Sequence, residues 1–248
     1  MISIVIPCFN EEKRLDLDYW QRLVLSQSNC QWLFVNDGST DTTFAILQSL
    51  NHANVEILNI DKNVGKGEAI RSGFLHLERK ASPPALVGFI DCDGAFEIQE
   101  IGNFIRLSDQ LIEQEFKYDV FLPSRVSLAG RVINRSKMRH YVGRIIVSYL
   151  CIGWKSAPYD TQCGFKIFKF DNTFKKVISS KFKSRWFFDI EILLNLIKLG
   201  SDRIWEEPLN YWKDIRGSKI DIYQYSLILK DIFYIKKLIR NSVKSGLT

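Results

Sequence analysis

Two aspartates, one residue apart, directly follow an apolar run in the first half of the chain. Residues 89–94 read FIDCDG, so Asp91 and Asp93 end a strand-like segment. Alternate side chains of an extended backbone point in similar directions, and two carboxylates held so close repel each other unless a cation is bound. Mg²⁺ or Mn²⁺ shared with a diphosphate fits this need, because both ions prefer oxygen ligands. The alternative interpretation is an acidic turn.

Two segments upstream contain further charged residues that are suited to ligand binding. Residues 34–41 read FVNDGSTD, in which an apolar run ends in Asp37 and Asp41 around a glycine turn. The alternative there is a plain turn between a strand and a helix. Residues 63–67 read NVGKG, and a glycine-flanked Lys66 entering a helix is typical of a site that an anion approaches. The spacing is neither that of a Walker A loop nor that of GxGxxG.

Hydrophobic patterning predicts the elements that position these residues. We predict strands at residues 2–6, 32–36, 55–60 and 86–90, and helices at 17–25 and 42–50. Strands alternating with helices form a parallel sheet, which binds ligands at the carboxyl ends of its strands. The polar segments follow the strands, so we expect them to meet at one edge of the sheet.

The second half of the chain has a different character. No acidic residue lies between Asp119 and Asp160, a stretch that contains Arg125, Arg131, Arg135, Lys137, Arg139, Arg144 and Lys155. Apolar residues lie among these cations, which suits a phosphate carried on a lipid; the alternative is a solvated helix packed on the core. We predict a strand at 164–170, a helix at 190–199 and a basic amphipathic helix within 220–244.

Composition limits the class of protein. The chain has 248 residues, of which 46% are hydrophobic and 25% charged, which is typical of an ordinary folded protein. Its formal charge of +6 favours a partner that bears phosphates. The 5 cysteines form no CxxC pair, which predicts reduced thiols in the cytoplasm. No apolar run approaches the roughly 18 residues of a membrane span, so we expect any membrane contact to be peripheral.

The motifs in combination resemble a known family. PCFNEE at residues 7–12, VNDGSTD at 35–41, NVGKG at 63–67 and DCDG at 91–94 resemble the family 2 inverting glycosyltransferases, which have the GT-A fold. DTQCGFK at 160–166, RWFFDIE at 185–191 and GSK at 217–219 resemble the dolichyl-phosphate or polyprenyl-phosphate glucosyltransferase branch. This resemblance implies a mostly parallel central sheet flanked by helices, with a C-terminal amphipathic helix.

The resemblance also implies an organisation and a set of roles. A single domain over residues 1–248 would comprise a nucleotide-sugar-binding half at 1–115, an acceptor half at 116–215 and a helical tail at 216–248. The UDP-sugar would contact Pro7, Phe9, Glu11, Asp37, Lys66, Asp91, Cys92 and Asp93, and Asp93 would bind Mg²⁺ or Mn²⁺. Cys92 departs from the alanine common in the family.

On the acceptor side, the resemblance assigns Asp189 to the position of the family's general base and places Asp160 near the acceptor as the second catalytic candidate. It also matches Arg125, Arg139 and Arg144 to arginines that hold an acceptor phosphate. Large aromatic residues stack on sugars as well as packing in cores, and we expect a sugar contact from one of five candidates. These are Trp186, Phe187, Phe188, Trp205 and Trp212.

Two acceptors remain open. A polyprenyl or dolichyl phosphate is already anionic and needs basic residues to hold it, whereas a saccharide hydroxyl needs a general base such as Asp189. We expect transfer of a hexose, with glucose first, to the lipid phosphate by a cytoplasmic enzyme peripheral on the inner membrane face. The alternative is a saccharide acceptor in the synthesis of a surface polysaccharide. Nucleic-acid binding is disfavoured, because it would leave the paired aspartates unexplained.

Overall fold

A seven-stranded sheet organises the chain, and helices cover both of its faces. The computed structural model describes residues 1–113, 118–215 and 222–244. The strands are β1 (Ile2–Cys8), β2 (Cys30–Asp37), β3 (Val55–Ile60), β4 (Leu86–Ile90), β5 (Val120–Ser124), β6 (Val132–Asn134), β7 (Phe165–Lys169), β8 (Ile204–Pro208) and β9 (Tyr211–Lys213). The helices are α1 (Leu17–Ser26), α2 (Thr43–Gln48), α3 (Lys66–Glu78), α4 (Ile98–Glu113), α5 (Lys137–Cys151), α6 (Asn172–Ile178), α7 (Phe188–Lys198) and α8 (Ile222–Lys244).

The order of strands in the main sheet is β3-β2-β1-β4-β7-β5-β8, and β6 pairs with β9 in a separate ribbon. All strands of the main sheet are parallel to one another except β7, which runs antiparallel to both β4 and β5. The predicted mostly parallel α/β fold is therefore confirmed. Because β7 is reversed, its amino end lies at the carboxyl edge of the parallel strands, and residues 160–164 reach that edge.

The first strand is buried on both faces, as its unbroken apolar sequence predicts. Ile4 packs in the cluster that contains Trp20 of α1 and Ile101 of α4, whereas Val5 packs with Phe74 of α3 on the opposite face. Close packing on both sides fixes the positions of the strand ends, from which the polar loops emerge.

Hydrogen bonds join the loops that follow β1 and β2. The backbone N–H of Thr40 donates to Asn10 Oδ1 at 2.9 Å, and the N–H of Asn10 donates to Ser39 Oγ at 3.1 Å. The N–H of Glu11 donates to Thr43 Oγ1 at 2.7 Å. The two loops therefore form one rigid rim at the edge of the sheet.

The C-terminal helix α8 confirms the predicted helical appendage. Ile235 and Ile239 are fully buried in the core, whereas Phe233 is 70% exposed, so the helix is amphipathic. Within residues 1–113, 118–215 and 222–244, every helix falls short of the length or the apolarity that a bilayer crossing requires.

A glycine is required where the loop after β2 meets the loop after β3. Gly38 has φ +66°, and a Cβ atom there would lie 2.5 Å from the backbone nitrogen of Asn63 and 2.8 Å from Cα of Lys62. Only glycine meets both conditions at low cost, because its left-handed conformation is unstrained and it has no side chain.

We expect Gly38→Ala to lower the free energy of unfolding by about 3 kcal/mol, since backbone strain and a clash act together. Gly130 is the matched control: it has φ +79°, and among the described residues no heavy atom lies within 4 Å of a Cβ placed there. Gly130→Ala should cost only about 1 kcal/mol, from backbone strain alone. Urea denaturation measures both values, and equal costs would contradict the close approach at Gly38.

Candidate active site

A cavity of about 670 Å³ opens at the carboxyl ends of β1, β2 and β4. All of the residues predicted to contact a nucleotide-sugar line it, namely Pro7, Phe9, Glu11, Asp37, Lys66, Asp91, Cys92 and Asp93. Asp189 lines it as well. The structure therefore brings these residues together at the predicted edge of the sheet, while their roles toward a ligand stay predictions.

Lys66 and Asp91 form an ion pair on the cavity wall. Lys66 Nζ lies 2.6 Å from Asp91 Oδ1. Burial acts to lower the pKa of Lys66, but the carboxylates of Asp91, Asp189 and Asp93 outweigh it, so the pKa is raised and the ammonium group stays charged. A Cβ at position 164 would lie 2.3 Å from Asp91 Oδ2, so Gly164 makes room for the carboxylate.

Glu11 and Asp93 are the carboxylates least compensated by positive charge. Burial raises the pKa of Asp93, and the charge of Asp91 raises it further. Burial also raises the pKa of Glu11, with a further contribution from Asp93. Arg14 opposes both effects only from a distance, since its guanidinium nitrogens lie 3.5 Å from Glu11 Oε2 and 3.7 Å from Asp93 Oδ2. A divalent cation beside Asp93 would relieve this repulsion.

The donor chemistry fits a cation that is shared with a substrate. Across the described residues, no group of three or more His, Cys, Asp and Glu side chains is arranged to hold a metal by itself. Mg²⁺ binds through one or two carboxylates and completes its shell with water and substrate phosphates. Asp93 is therefore suited to a cation that arrives together with a diphosphate.

Asp37 occupies the anion position that the NVGKG segment offers. The N–H groups of Val64 and Gly65 donate to its two carboxylate oxygens at 2.8 and 2.9 Å, and Asn63 Nδ2 donates at 2.9 Å. Burial raises the pKa of Asp37 although these bonds favour the charged form. The NVGKG segment was expected to face an external anion. Its N–H groups at Val64 and Gly65 instead bind the carboxylate of Asp37.

Asp189 lies in the first turn of α7 and is almost completely buried. Its carboxylate accepts hydrogen bonds from Gln162 Nε2 at 2.8 Å and from Lys166 Nζ at 3.2 Å. Lys166 has no exposed surface, and its ammonium group also donates to the carbonyl of Cys163 at 2.7 Å. The start of β7 therefore holds the carboxylate at the cavity wall in a fixed orientation.

Asp160 pairs with Arg125 and does not line the larger cavity. Arg125 donates from Nε at 2.7 Å and from Nη2 at 2.8 Å, which forms a bidentate pair. Burial acts to raise the pKa of Asp160, but the hydrogen bonds and charge of Arg125 prevail and lower it to about 2. A carboxylate so paired is a poor proton acceptor, so these contacts favour a positioning role for Asp160 over the predicted catalytic one.

A smaller cavity of about 250 Å³ adjoins the first and shares Arg14, Asp91 and Asp93 with it. Arg125 and Arg135 line this second cavity. Burial lowers the pKa of Arg135, and the charge of Arg125 lowers it further. Together with Arg14, Asp91, Asp93 and Asp214, the wall of this cavity combines three arginines with three aspartates.

The other two predicted acceptor arginines are Arg144 and Arg139. The guanidinium carbon of Arg144 lies 3.9 Å from the ring centroid of Tyr159, and Arg144 does not line either of the two cavities. The side chain of Arg139 lies outside the described residues, as does the GSK string at 217–219. Their proposed contact with a phosphate stays a prediction.

The residues of the larger cavity that were not assigned a site role from the sequence include Arg14, Gln162, Arg185 and Trp186. Gln162, Arg185 and Trp186 lie in the strings DTQCGFK and RWFFDIE, so the family resemblance contained a signal for these three residues. Trp186 is also one of the five aromatic candidates for a sugar contact. Phe188 of that group also lines the cavity. The cavity thus combines five carboxylates with three cationic side chains and an aromatic wall.

Comparison with known proteins decides the family. Residues 3–176 match the family model described as glycosyl transferase family 2. The chain belongs to glycosyl transferase family 2. It is therefore a glycosyltransferase, and the carboxylates at the strand ends lie in the domain that defines the family.

Relatives in this family match the chain over most of its length. A dolichyl-phosphate beta-glucosyltransferase of Trichomonas vaginalis is 32% identical over 238 residues, covering 89% of this chain and 68% of the relative. A human protein of the same name is 29% identical over 252 residues, covering 95% and 74%. The matched region therefore extends beyond residue 176.

A solved structure confirms the GT-A fold. Glucosyl-3-phosphoglycerate synthase from Mycobacterium tuberculosis, in complex with Mn²⁺, UDP-glucose and phosphoglyceric acid, has a TM-score of 0.67. The match covers 96% of this chain and 79% of that one at 15% identity, so the likeness concerns the fold.

The pair of Asp160 with Arg125 predicts a specific dependence of stability on pH. The pKa of Asp160 is lowered on folding, so its stabilisation is complete above about pH 5 and decreases as the pH falls toward 2. Between pH 5 and pH 3 the wild-type protein should lose about 1 kcal/mol of unfolding free energy through this group. Asp160→Asn should lack that loss and be about 3 kcal/mol less stable at pH 7, because Arg125 is then buried without its partner.

Urea titrations of both proteins at pH 7, 5 and 3 measure the difference. Parallel pH profiles would show that the ion pair does not contribute to stability.

Proposed function

We propose that this chain transfers a glucosyl residue from UDP-glucose to dolichyl phosphate with Mg²⁺ or Mn²⁺ bound at Asp93. The observation that carries this proposal is the similarity to dolichyl-phosphate beta-glucosyltransferases over 89% and 95% of the chain. The carboxylate-rich cavity and the adjoining arginine-lined cavity support it independently, since they suit a cation with a diphosphate and a second phosphate.

The donor lies in the larger cavity with its diphosphate toward Lys66 and Asp93. A bound cation supplies positive charge to the leaving diphosphate as the bond to the sugar breaks. Lys66 adds a second positive charge at the same edge, since its ammonium group is held there by Asp91 at 2.6 Å. The bond from C1 of glucose to the diphosphate oxygen breaks, a bond to an acceptor oxygen forms on the opposite face, and UDP leaves with the electron pair.

The acceptor phosphate lies in the smaller cavity. Arg125 and Arg135 line it, and Arg14 lines both cavities. The acceptor phosphate and the donor diphosphate would therefore lie on either side of Arg14. A phosphate monoester oxygen is already anionic and attacks without a general base. Asp189 then acts by holding Gln162 at the boundary between the cavities.

Transfer to a saccharide hydroxyl is the second candidate function. The observation that favours it is Asp189, a carboxylate on the wall of the larger cavity at the position of a general base. A hydroxyl acceptor would require that carboxylate to take up a proton. The two candidates therefore differ in what Asp189 must do.

We also propose peripheral contact with the cytoplasmic face of a membrane. On one side of α5 and just beyond its end, a row of large apolar side chains is exposed, consisting of Met138, Tyr141, Val142, Ile145, Tyr149 and Ile152. Leu229 and Phe233 on the adjacent α8 are exposed as well. Exposed Lys230, Lys237 and Arg240 accompany them, and basic residues near anionic lipids contribute about 1 kcal/mol each. A lipid-linked acceptor would reach the smaller cavity from such a surface.

The donor, metal and acceptor are tested by measuring release of UDP from UDP-glucose with Mn²⁺. We expect a short-chain dolichyl phosphate to stimulate release and a panel of free and lipid-linked saccharides to leave it unchanged. Chelation of the metal and Asp93→Asn should each lower the rate about 100-fold, because charge on the leaving group is then uncompensated. Asp61→Asn, which alters an exposed aspartate outside both cavities, should retain the wild-type rate.

Asp189→Asn separates the two acceptors in the same assay. With a phosphate acceptor it should lower the rate about tenfold or less, whereas loss of a general base costs about 10²–10⁴-fold. Stimulation by a saccharide alone, together with the larger loss in Asp189→Asn, would replace the dolichyl phosphate proposal.

Membrane contact is tested by sedimentation with vesicles that contain anionic lipid. Ile145 on α5 is 69% exposed, and Ile145→Glu should weaken binding about tenfold, because it removes one apolar side chain from the interface and adds a negative charge. Leu25 on α1 is 64% exposed, and Leu25→Glu is the matched control that should bind as the wild type does. Equal binding by all three proteins would exclude α5 as the contact surface.

A further inference from the structure

Helix α8 is joined to the loop at residues 183–187 by a half-buried carboxylate, Asp231. Asp231 of α8 accepts a hydrogen bond at Oδ2 from Ser184 Oγ at 2.8 Å and another from the backbone N–H of Trp186 at 2.8 Å. Ser184 is buried, and its Oγ accepts in turn from the N–H of Phe187 at 2.9 Å. One carboxylate on the C-terminal helix therefore binds both a side chain and a backbone N–H of this loop.

A second carboxylate supports the same loop from the other side. Glu191 of α7 is buried and accepts from the N–H groups of Lys183 at 3.0 Å and Ser184 at 2.8 Å. The hydroxyl of Tyr234, also on α8, donates to Glu191 at 2.9 Å. The loop is thus held between α7 and α8, and charge-assisted hydrogen bonds make such contacts strong.

The loop carries two of the residues that line the larger cavity. Arg185 lies near the start of α3, 3.5 Å from the Cβ position of Gly65, and its charge acts to lower the pKa of Asp37. The indole N–H of Trp186 is buried and has no hydrogen-bond partner among the described residues. A guanidinium group and an unpaired N–H on a cavity wall are suited to the oxygens of a phosphate or a sugar.

Helix α8 is itself firmly anchored, so it is a fixed point for the loop. Ile235 and Ile239 are fully buried in the core. Lys236 Nζ donates to the carbonyls of Tyr149 at 2.6 Å and Ile152 at 3.3 Å, and so caps the end of α5. Through its hydrogen bonds to Ser184 and Trp186, Asp231 therefore holds the loop of the cavity wall at a fixed position relative to α8.

We propose that Asp231 is a positioning residue for donor binding. It lines neither cavity and acts through the loop, whose conformation places Arg185 and Trp186 beside the nucleotide-sugar. This inference rests on the proposed function, because it takes the larger cavity to be the donor site. It makes the C-terminal helix part of the donor-binding apparatus, although none of the α8 side chains that the structure describes lines the cavity.

The test measures affinity for UDP and UDP-glucose by calorimetry with Mn²⁺ and without acceptor, together with thermal stability. Asp231→Leu removes the acceptor oxygens at similar size and should weaken UDP-glucose binding about tenfold. Asp231→Asn keeps one oxygen acceptor for Ser184 and Trp186 and should restore affinity to within about twofold of wild type. Lys236→Met, on the same helix, should lower the melting temperature through the loss of the α5 cap while affinity stays unchanged.

Equal affinity in the wild type and Asp231→Leu would overturn the inference, as would a loss of affinity in Lys236→Met that follows its loss of stability. Failure of the wild-type chain to bind UDP with Mn²⁺ would overturn the proposed donor and this inference together. If Asp231→Leu does not fold, Ser184→Ala replaces it, since it removes one of the two donors to Asp231 at nearly constant volume. We then expect about threefold weaker binding, and unchanged affinity would overturn the inference.

Discussion

Repulsion among carboxylates at the strand ends is the interaction around which this site is built. Glu11, Asp91 and Asp93 lie close enough that burial and mutual charge raise the pKa of Glu11 and Asp93. Lys66 compensates Asp91 directly, whereas Arg14 stands farther from the other two. This excess of negative charge is the basis of the proposal that a cation binds here together with a diphosphate. Such an arrangement is costly to folding and persists because the closely packed strands fix it.

The reversed strand β7 brings the second half of the chain to the same edge. Its amino end places Gly164 against Asp91, and Lys166, inside the strand, pairs with Asp189. The preceding residues hold Asp160 against Arg125, which faces the smaller cavity. One change of strand direction thus joins the wall of the larger cavity to the wall of the smaller one, and the two cavities share residues because both walls end at the same strand.

Helix α8 extends this arrangement to the surface of the molecule. Its buried face carries Asp231 and Lys236, which reach the cavity loop and the end of α5, respectively. Its exposed face carries Phe233 next to the apolar side of α5. The same helix therefore borders the surface proposed to meet a lipid and supports the loop proposed to meet the donor. A change in how α8 packs would therefore alter both the exposed apolar surface and the loop at residues 183–187.

The sequence by itself determined the strands of the first half and the mostly parallel α/β class, and with the family resemblance it gave eight of the cavity residues between Pro7 and Asp93. Local patterns suffice there, because apolar runs report buried strands and the polar residues that follow parallel strands must share an edge. Only the tertiary structure decided which charges pair. The N–H groups of Val64 and Gly65 bind Asp37, Asp160 binds Arg125, and Asp231 binds a loop more than forty residues earlier. These partners are far apart in the chain, so no local spacing records them, and their contacts exist because the packed sheet and helices hold the two segments at hydrogen-bond distance.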